Sequence, residues 1–335
     1  MSPTVSIAIV NWNGLHYLRD CLISLEAQTF TDFEVIVVDN GSTDGSVEWV
    51  TQHVPRVRLI HNTTNVGFAA ANNQAIRASA APYIVTLNND TRLDPDWLAV
   101  LVAAAEAHPD VGMCASKMLF ADRPDVINST GIRLDPVGIA WDRRGGEADI
   151  GDEREPIEVF GPCAGAALYR RSMLEQIGLF DEDFFAYLED VDLAWRARLA
   201  GWRCLYVPAA RVHHVHSATS VEGSPLKSYL LGRNKVWLIA KDYPIPRLLI
   251  WLPLILLYDM AAVVFALIAR RDVYALKGRL EGWLRLRVAL RKRRAAQPLK
   301  RSASGRSWHH YLDPLTPPWR VLERYAHLTR TVKRR

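Results

Sequence analysis

The sequence predicts an α/β fold in which a mostly parallel β-sheet is flanked by helices. Short β-branched runs alternate with helical patterns three times before a fourth strand ends at Asn88. Unusual polar residues follow the first, second and fourth strands. Such sheets bind ligands outside the carboxyl ends of their strands, so we expect the site there. Of the 335 residues, 49% are hydrophobic, which is enough for a sizeable core.

Hydrophobic spacing predicts the individual elements in chain order. Strands are expected where β-branched residues run together, and helices where apolar residues recur every three or four positions. The predicted strands are 5–10, 33–38, 57–61, 83–88, 111–116, 160–169 and 204–207. The predicted helices are 15–25, a segment through 47–50, 68–80, 171–177 and 189–200. Residues 121–158 lose the alternation and are predicted to form an irregular insertion or hairpin that flanks the site.

Charge is distributed unevenly along the chain. The formal net charge is +5, but residues 270–335 hold 19 Lys and Arg against 4 Asp and Glu, which makes +15 there and −10 over residues 1–269. The four cysteines have no CxxC spacing, so we interpret them as reduced thiols rather than a zinc site or a disulfide framework. The first residues lack a secretory signal pattern, so we expect the catalytic part to stay in the cytoplasm.

Three short polar side chains, Asn88, Asn89 and Asp90, follow the fourth predicted strand. Oxygen-bearing side chains at the carboxyl end of a strand suit a divalent cation and the oxygens of a diphosphate. The alternative interpretation is an ordinary turn, because Asn and Asp side chains also bond to their own backbone.

A second candidate site is a group of acids around the start of the helix 189–200. The acids are Asp181, Glu182, Asp183, Glu189, Asp190 and Asp192, beside Phe184, Phe185 and Tyr187. Carboxylates that repel one another near apolar rings raise one another's pKa, as a general base near neutral pH requires. The alternative is capping, because carboxylates also stabilise a helix N-terminus.

Seven short motifs occur along residues 4 to about 216. They are Val-Asn-Trp-Asn-Gly at 10–14, Val-Val-Asp-Asn-Gly-Ser-Thr-Asp at 37–44, Asn65-Val-Gly67-Phe68, Asn-Asn-Asp at 88–90, Gly161-Pro-Cys-Ala-Gly165, Glu-Asp-Val-Asp at 189–192 and His213-His214. In this order the motifs resemble family 2 of the inverting glycosyltransferases, especially bacterial rhamnosyltransferase-like and galactofuranosyltransferase-like members. The resemblance implies the GT-A fold, a Rossmann-like α/β architecture.

The resemblance also implies roles for single residues on the donor side. Asp39 is expected to contact the base of a nucleotide-sugar donor, and Asn89 to lie near its ribose and sugar. Asp90 and His214, rather than His213 or His216, are the implied ligands of Mg²⁺ or Mn²⁺. The full set of implied donor-binding residues is Asn11, Asn13, Asp39, Asn65, Gly67, Asn88, Asn89 and Asp90. Asn88 stands where the family's Asp-x-Asp motif has its first acid, so this site has one carboxylate fewer.

On the acceptor side the resemblance implies that Asp190 is the catalytic base, with Asp192 as the second choice, and we assign Glu189 and Trp195 to the acceptor. The implied reaction is one inverting displacement that moves a sugar, with rhamnose as the candidate, to a hydroxyl of a saccharide or polyprenyl-linked saccharide in cell-surface polysaccharide synthesis. Two alternatives remain. They are a sugar nucleotidyltransferase and, because of Asn88, a non-catalytic nucleotide-sugar-binding protein.

Residues 248–269 are predominantly apolar and contain a single formal charge, Asp259. They are long enough to span a bilayer of about 30 Å, but a carboxylate in mid-segment is costly there. The basic amphipathic stretch over 276–294, which ends in Arg291-Lys-Arg-Arg294, is typical of a helix in the headgroup plane. We therefore expect an in-plane or shallowly inserted hairpin on an anionic membrane, with a true span and a soluble helical subdomain as alternatives.

These patterns predict three parts of the chain. Residues 1–222 form the catalytic domain, 223–295 a helical membrane-associating region, and 296–335 a basic tail. The expected location is the cytoplasmic face of the inner (plasma) membrane. Nucleic acid is not an expected partner, because no recognised reading module accompanies the basic charge.

Overall fold

The computed structural model describes residues 2–215, 224–296, 312–321 and 323. Its strands are β1 (Val5–Asn11), β2 (Phe33–Asn40), β3 (Arg58–Asn62), β4 (Tyr83–Asn88), β5 (Thr91–Leu93), β6 (Val111–Phe120), β7 (Arg123–Ser129), β8 (Ile132–Leu134), β9 (Ala140–Asp142), β10 (Ile157–Glu158), β11 (Ala166–Arg170) and β12 (Arg203–His214). Its helices are α1 (Leu15–Glu26), α2 (Ser46–His53), α3 (Phe68–Ala78), α4 (Trp97–Ala107), α5 (Arg171–Ile177), α6 (Glu189–Leu199), α7 (Pro225–Asp242), α8 (Ile245–Ala269), α9 (Tyr274–Leu284) and α10 (Leu286–Ala296). A 3-10 helix, Glu182–Phe184, precedes α6.

One large sheet organises the described residues. Its strand order is β10-β12-β6-β11-β4-β1-β2-β3, with β5 beside β12 and β7 beside β6. Strands β4, β1, β2 and β3 are parallel, and β12 is parallel to β6, whereas β11 runs antiparallel to both of its neighbours. The predicted α/β fold with a mostly parallel central sheet is confirmed. In the insertion, β7 pairs with β6, and β8 and β9 form a small hairpin.

Helices cover both faces of the sheet because successive side chains of a strand point to opposite sides. Ile7 and Ile9 of β1 belong to one core with α1 and α4. Ala8, between them, belongs to a second core with Ala71 and Ala75 of α3. Burial on both faces makes these strands continuous apolar runs, which is why they were readable in the sequence.

The two largest differences between predicted and observed strand bounds are at β11 and β12. The strand predicted at 160–169 is confined to β11, and the residues before Ala166 are irregular. The strand predicted at 204–207 is longer, because β5 and the end of β6 pair with its second half. Both His213 and His214 therefore lie in β12.

The C-terminal helices pack on one another and on α6. Among the described residues, α8 is the helix that is long and apolar enough to cross a membrane. Asp259 of α8 pairs with Lys235 of α7 at 3.4 Å and with Arg279 of α9 at 2.8 Å, so its carboxylate faces other helices. Other side chains of α8 are exposed, namely Leu249, Ile250, Leu256, Leu257, Met260, Val264 and Ile268. The predicted basic helix is divided at Arg285 into α9 and α10.

Candidate active site

A chain of polar side chains crosses the carboxyl ends of β4, β1 and β2. Asn89 Nδ2 donates to Asn11 Oδ1 over 2.7 Å, and Asn11 Nδ2 donates to Asp39 Oδ2 over 3.0 Å. The parallel register places Asn11 beside Asp39, which explains their contact. Three residues implied to bind the donor thus meet at the edge of the sheet where ligands were expected.

The loop after β1 also contacts the loop after β2. Asn13 Oδ1 accepts a hydrogen bond from Thr43 N over 2.8 Å. A Cβ added at Gly14 would lie only 2.2 Å from Asn89 Nδ2, so any larger residue at this position would displace Asn89. The Asn-Trp-Asn-Gly loop therefore fixes the position of the residue that follows β4.

Asn65 and Gly67 lie in the loop after β3, at the same edge of the sheet. Asn40 Nδ2 donates to Asn65 Oδ1 over 3.2 Å, and the same oxygen accepts the N–H of Gly67 over 2.9 Å. Gly67 has φ +90°, a conformation that favours glycine, and it immediately precedes α3. All eight residues implied to bind the donor consequently lie at or just after the ends of β1, β2, β3 and β4.

Asn88, Asp90 and His214 form a compact group at the end of β4. His214 Nε2 lies 3.1 Å from Asp90 Oδ1 and 3.3 Å from Asn88 Nδ2. The other ring nitrogen, Nδ1, lies 2.9 Å from Asn128 Oδ1 of β7. An amide oxygen beside Nδ1 favours the proton on that nitrogen, which leaves the Nε2 lone pair directed toward Asp90. Two electron-rich atoms at this distance suit a shared cation.

The donor set of this group fits Mg²⁺ or Mn²⁺. No cluster of three or more His, Cys, Asp or Glu side chains suited to a metal occurs within the described ranges. Mg²⁺ commonly uses only one or two carboxylates and completes its shell with water and substrate phosphates. Asp90 and His214 would therefore hold the ion together with a bound diphosphate. His213 faces away from this group, with Nε2 3.2 Å from Asp94 Oδ1, and His216 lies outside the described residues.

Asp190, in the first turn of α6, is connected to this group through the backbone of residues Ala164 and Gly165. Its Oδ2 accepts the N–H of Ala164 over 3.2 Å, and its Oδ1 accepts the N–H of Val191 over 2.8 Å. The next residue, Gly165, accepts the N–H of Asn88 through its carbonyl over 2.8 Å. Two adjacent residues thus connect Asp190 to the end of β4.

Burial raises the pKa of Asp190 to about 6, although its hydrogen bond from Ala164 N–H acts in the opposite direction, and the charge of Asp142 raises the pKa further. The side chain of Asp190 nevertheless remains partly exposed to solvent, so a ligand can reach it. A partly accessible carboxylate with a pKa near neutrality suits a general base.

Asp192 has a different environment, although it is only two residues away. Its side chain is fully buried, with Oδ2 2.7 Å from Arg196 Nη2 and Oδ1 2.5 Å from Lys241 Nζ. Burial favours a higher pKa, but these two cations outweigh it and hold the pKa of Asp192 well below its usual range. A low pKa and complete burial do not suit proton transfer, so the structure gives Asp192 a role in stability.

The two residues assigned to the acceptor, Trp195 and Glu189, lie in different environments. Trp195 is fully buried against Phe160 and Tyr243, so it belongs to the core and we withdraw it as an acceptor contact. Glu189 is buried next to Asp190, and within the described part of the chain its Oε2 has no hydrogen-bond partner. Burial and the charge of Asp190 raise the pKa of Glu189 well above its usual range, which favours its neutral form.

The sequence analysis did not identify two residues that hold this site together, Asn128 and Asn234. Asn128, which orients His214, lies in the segment read as an irregular insertion, and no pattern distinguished it. Asn234 of α7 had a usable signal, because it shares a helix face with Leu230 and Leu238. A polar residue on a buried apolar face usually has a specific hydrogen-bonding role.

The sequence matches one protein family and is similar to bacterial proteins. Residues 6–178 match the family described as Glycosyl transferase family 2. The chain is 32% identical over 259 residues to the N-acetylglucosaminyl-diphospho-decaprenol L-rhamnosyltransferase of Mycobacterium tuberculosis, covering 70% of this chain and 83% of that protein. It is 28% identical to the O-antigen biosynthesis protein RfbC of Myxococcus xanthus, covering 72% of this chain and 20% of that protein.

The fold is similar to solved glycosyltransferase structures. The mannosyltransferase of Pyrobaculum calidifontis in complex with GDP-Man and Mn²⁺ matches with a TM-score of 0.51 and 20% identity, covering 98% of this chain and 81% of that one. GalNAc-T7 with UDP, GalNAc and Mn²⁺ matches with a TM-score of 0.59 and 17% identity, covering 72% of this chain and 48% of that one. At these identities the likeness concerns the fold, which is GT-A.

Proposed function

The chain belongs to glycosyl transferase family 2, and from that premise we propose that this glycosyltransferase moves a sugar, with rhamnose as the first candidate, to a lipid-linked saccharide. Family membership favours transfer over a sugar nucleotidyltransferase or a non-catalytic binding protein. One observation carries the proposal. The group formed by Asp90 and His214 at the end of β4 is connected to Asp190 by hydrogen bonds to a single short loop. A relative named for L-rhamnose and a decaprenol-linked acceptor supports both substrate assignments.

Donor binding is assigned to the carboxyl edge of the sheet. Asp39 and Asn89 would contact the nucleoside, and both keep acceptor capacity because each oxygen of a carboxylate or amide has two lone pairs. Asp90 and His214 would hold Mg²⁺ or Mn²⁺, and the ion would supply positive charge that stabilises the leaving diphosphate. Relatives of the same fold that were solved with Mn²⁺ support this choice of ions.

Acceptor activation is assigned to Asp190. Its carboxylate would take the proton of the acceptor hydroxyl while that oxygen forms a bond to the anomeric carbon and the bond to the diphosphate oxygen breaks. Attack from the face opposite the leaving group inverts the anomeric carbon. A pKa of about 6 keeps Asp190 ionised at cytoplasmic pH and still basic enough to assist the transfer.

The metal assignment is tested by titrating the purified chain with nucleoside diphosphates, with and without Mg²⁺, and then screening nucleotide sugars for transfer. We expect Asp90→Ala to lose the Mg²⁺-dependent part of binding and to remain folded. Asp94→Ala is the matched control. Asp94 directly follows β5 and pairs with His213 of β12, so this variant removes a neighbouring Asp–His pair that lies outside the proposed metal site. Equal Mg²⁺ dependence in the parent and Asp90→Ala would refute the metal assignment. If the parent transfers none of the nucleotide sugars, the proposed reaction is refuted.

Membrane attachment is assigned to the exposed face of α8. Asp259 is paired with α7 and α9, so the remaining exposed surface of α8 is almost entirely apolar and suits shallow insertion parallel to the membrane. Exposed Arg285, Arg287 and Arg291 would attract anionic headgroups. Free cysteines and this positive charge support the cytoplasmic face. Lys292 and Arg293, included in the predicted basic cluster, instead contact Asp181 and the carbonyl of Ala240.

Sedimentation with phosphatidylglycerol vesicles tests this attachment. The full chain is expected to pellet with the vesicles, and Ile250→Asp is expected to weaken pelleting because a carboxylate would enter the apolar layer. Ile23→Asp is the matched control, since Ile23 is equally exposed but lies on α1. Pelleting that is the same for both variants and the parent would exclude the α8 face as the attachment surface.

A further inference from the structure

Three residues immediately before the proposed base have left-handed backbone conformations. Phe185, Tyr187 and Leu188 have φ values of +65°, +69° and +67°. Residues with side chains rarely adopt this conformation, and several together persist only where the surroundings enforce it. We call residues 184–188 the base loop, because they lead directly into Glu189 and Asp190.

Asn234 of α7 supplies the contacts that enforce this shape. Its Nδ2 lies 3.0 Å from the carbonyl oxygen of Phe184, 2.9 Å from that of Ala186 and 2.7 Å from that of Tyr187. The side chain is fully buried, so water does not replace these bonds. The two N–H groups of one amide are therefore directed at three carbonyl oxygens of the base loop.

Arg233 fixes the orientation of that amide. Its Nε donates to Asn234 Oδ1 over 2.9 Å, so the amide nitrogen must point toward the base loop. Its Nη2 donates to the carbonyl oxygens of Asp183 and Phe184, each over 2.9 Å. The guanidinium also lies 4.6 Å from the ring centroid of Trp237, one turn further along α7. Both residues of this pair thus hold the same segment.

The base loop contacts the donor side as well as the acceptor side. The carbonyl oxygen of Phe185 accepts the N–H of Ala69 over 3.1 Å, and a Cβ added at Gly67 would lie 2.6 Å from the Phe185 ring. At the other end, the carbonyl oxygen of Leu188 accepts the N–H of Asp192 over 2.9 Å and so begins α6. The loop's conformation consequently sets the direction of the turn that carries Asp190.

We propose that Asn234 is a positioning residue for the transfer reaction, which holds the base loop in its left-handed conformation and thereby directs Asp190 toward the acceptor hydroxyl. This inference rests on the proposed function of Asp190. Asn234 does not touch the reacting groups. It follows that α7, which lies beyond the predicted boundary at residue 222, belongs to the catalytic unit and is more than a connection to the membrane-associating helices.

The test compares Asn234→Ala and Asn234→Asp with Asn73→Ala in the full chain. Asn73 is the matched control, because it is also a buried amide that bonds to backbone, at Phe180, but it does not contact the base loop. We expect both Asn234 variants to lower kcat by about 10²-fold, the usual result of a small misplacement of a catalytic group. The KM for the nucleotide sugar is expected to stay within about threefold, because Asn234 bonds to Phe184, Ala186 and Tyr187, whereas the loop meets the donor side through the carbonyl of Phe185.

The Asp substitution separates shape from hydrogen bonding. It preserves the size of the side chain but directs a carboxylate at three carbonyl oxygens, so it should impair transfer at least as much as Ala. Arg233→Ala is a milder variant that should fold even if the others do not, and we expect it to lower kcat by about tenfold in the same manner. Amide hydrogen exchange over 184–188 should rise in all three variants and stay at the parent level in Asn73→Ala.

The outcomes are distinguishable. Parent-like kcat in Asn234→Ala or Asn234→Asp, or an equal loss in Asn73→Ala, would overturn the positioning role and leave the proposed function intact. If only Arg233→Ala folds, parent-like kcat in that variant would overturn the role in the same way. A parent chain that transfers no nucleotide sugar would overturn the proposed function itself.

Discussion

The two faces of helix α6 hold aspartates with opposite properties. Asp190 faces the loop that leads to the end of β4, is partly accessible, and its carboxylate accepts the backbone N–H groups of Ala164 and Val191. Asp192 faces the core and is paired with Arg196 and Lys241. Positions two apart on a helix do not share a face, so two identical side chains reach two unrelated environments.

The comparison shows how burial can have either effect on an acid. Around Asp190, burial and Asp142 act together and raise the pKa to about 6. Around Asp192, cations reverse the effect of burial, and the pKa falls well below its usual range. Asp190 is thus suited to exchange a proton during turnover, whereas the lowered pKa of Asp192 favours its charged form. The four predictions below test this difference, from the largest expected effect to the smallest.

The largest effect is expected for Asp190→Asn. Loss of the base should lower the transfer rate by about 10²–10⁴-fold while nucleotide-sugar affinity stays near that of the parent. The folded-state pKa of Asp190 is raised, so its charge opposes folding above about pH 6, and the neutral Asn should leave the unfolding temperature at pH 8 no lower than in the parent. Steady-state kinetics and thermal unfolding measure both. A fully active variant would remove Asp190 from the mechanism.

The opposite result is expected for Asp192→Asn. Removing one partner of a buried ion pair leaves Arg196 without a carboxylate and Lys241 with Asp181 as its remaining ion-pair partner in the described part of the chain, and should lower the free energy of unfolding by about 3–5 kcal/mol. Denaturant titration at pH 7 measures this loss. The lowered pKa means that the parent's contribution from Asp192 persists above its usual pKa and disappears only as pH falls through the depressed value. Unchanged stability would show that the comparison between the two faces is incorrect.

The fall of the transfer rate at low pH should reflect the protonation of Asp190. Because the base must be ionised, kcat/KM is expected to fall about tenfold per pH unit below pH 6 and to level off above it. Asp192 stays ionised throughout this range and should add no inflection. A profile that is flat between pH 5 and 7, measured with saturating Mg²⁺, would contradict the assignment of the base.

The smallest effect is expected for Asp142→Asn. The charge of Asp142 raises the pKa of Asp190. Removing this charge should therefore shift the low-pH fall of kcat/KM to lower pH by less than about one unit. Asp152→Asn is a suitable control from the same insertion, because Asp152 is exposed and paired with Arg144. A shift of equal size in the control, or a shift to higher pH, would show that Asp142 does not act on the base.

Much of the fold could be predicted because its signals are local. The strand–loop–helix units are visible as buried runs and helical spacing, and the predicted helix 171–177 coincides with α5. Parallel pairing then brings Asn11, Asp39 and Asn89 to one edge without further information. The domain boundaries at 222 and 295 remain a prediction, although the contacts of Asn234 show that α7 holds the base loop.

Other features depend on partners far away in the chain. β12 continues through His214 because β5 and β6 pair with it, and His214 is oriented by Asn128, more than eighty residues earlier. The two residues Lys292 and Arg293 read as surface charges, yet α10 turns them toward Asp181 and α7.

By itself, the sequence determined the alternation of strands and helices, the polar loops at the strand ends, and the acids at the start of α6, since each depends on residues within one or two turns. Only the tertiary structure decided which face of α6 meets the site. Helical spacing separates Asp190 from Asp192 but contains no information on what packs against either. That choice depends on Ala164, Lys241 and Asn234, which are distant in sequence and come near α6 only when the chain folds.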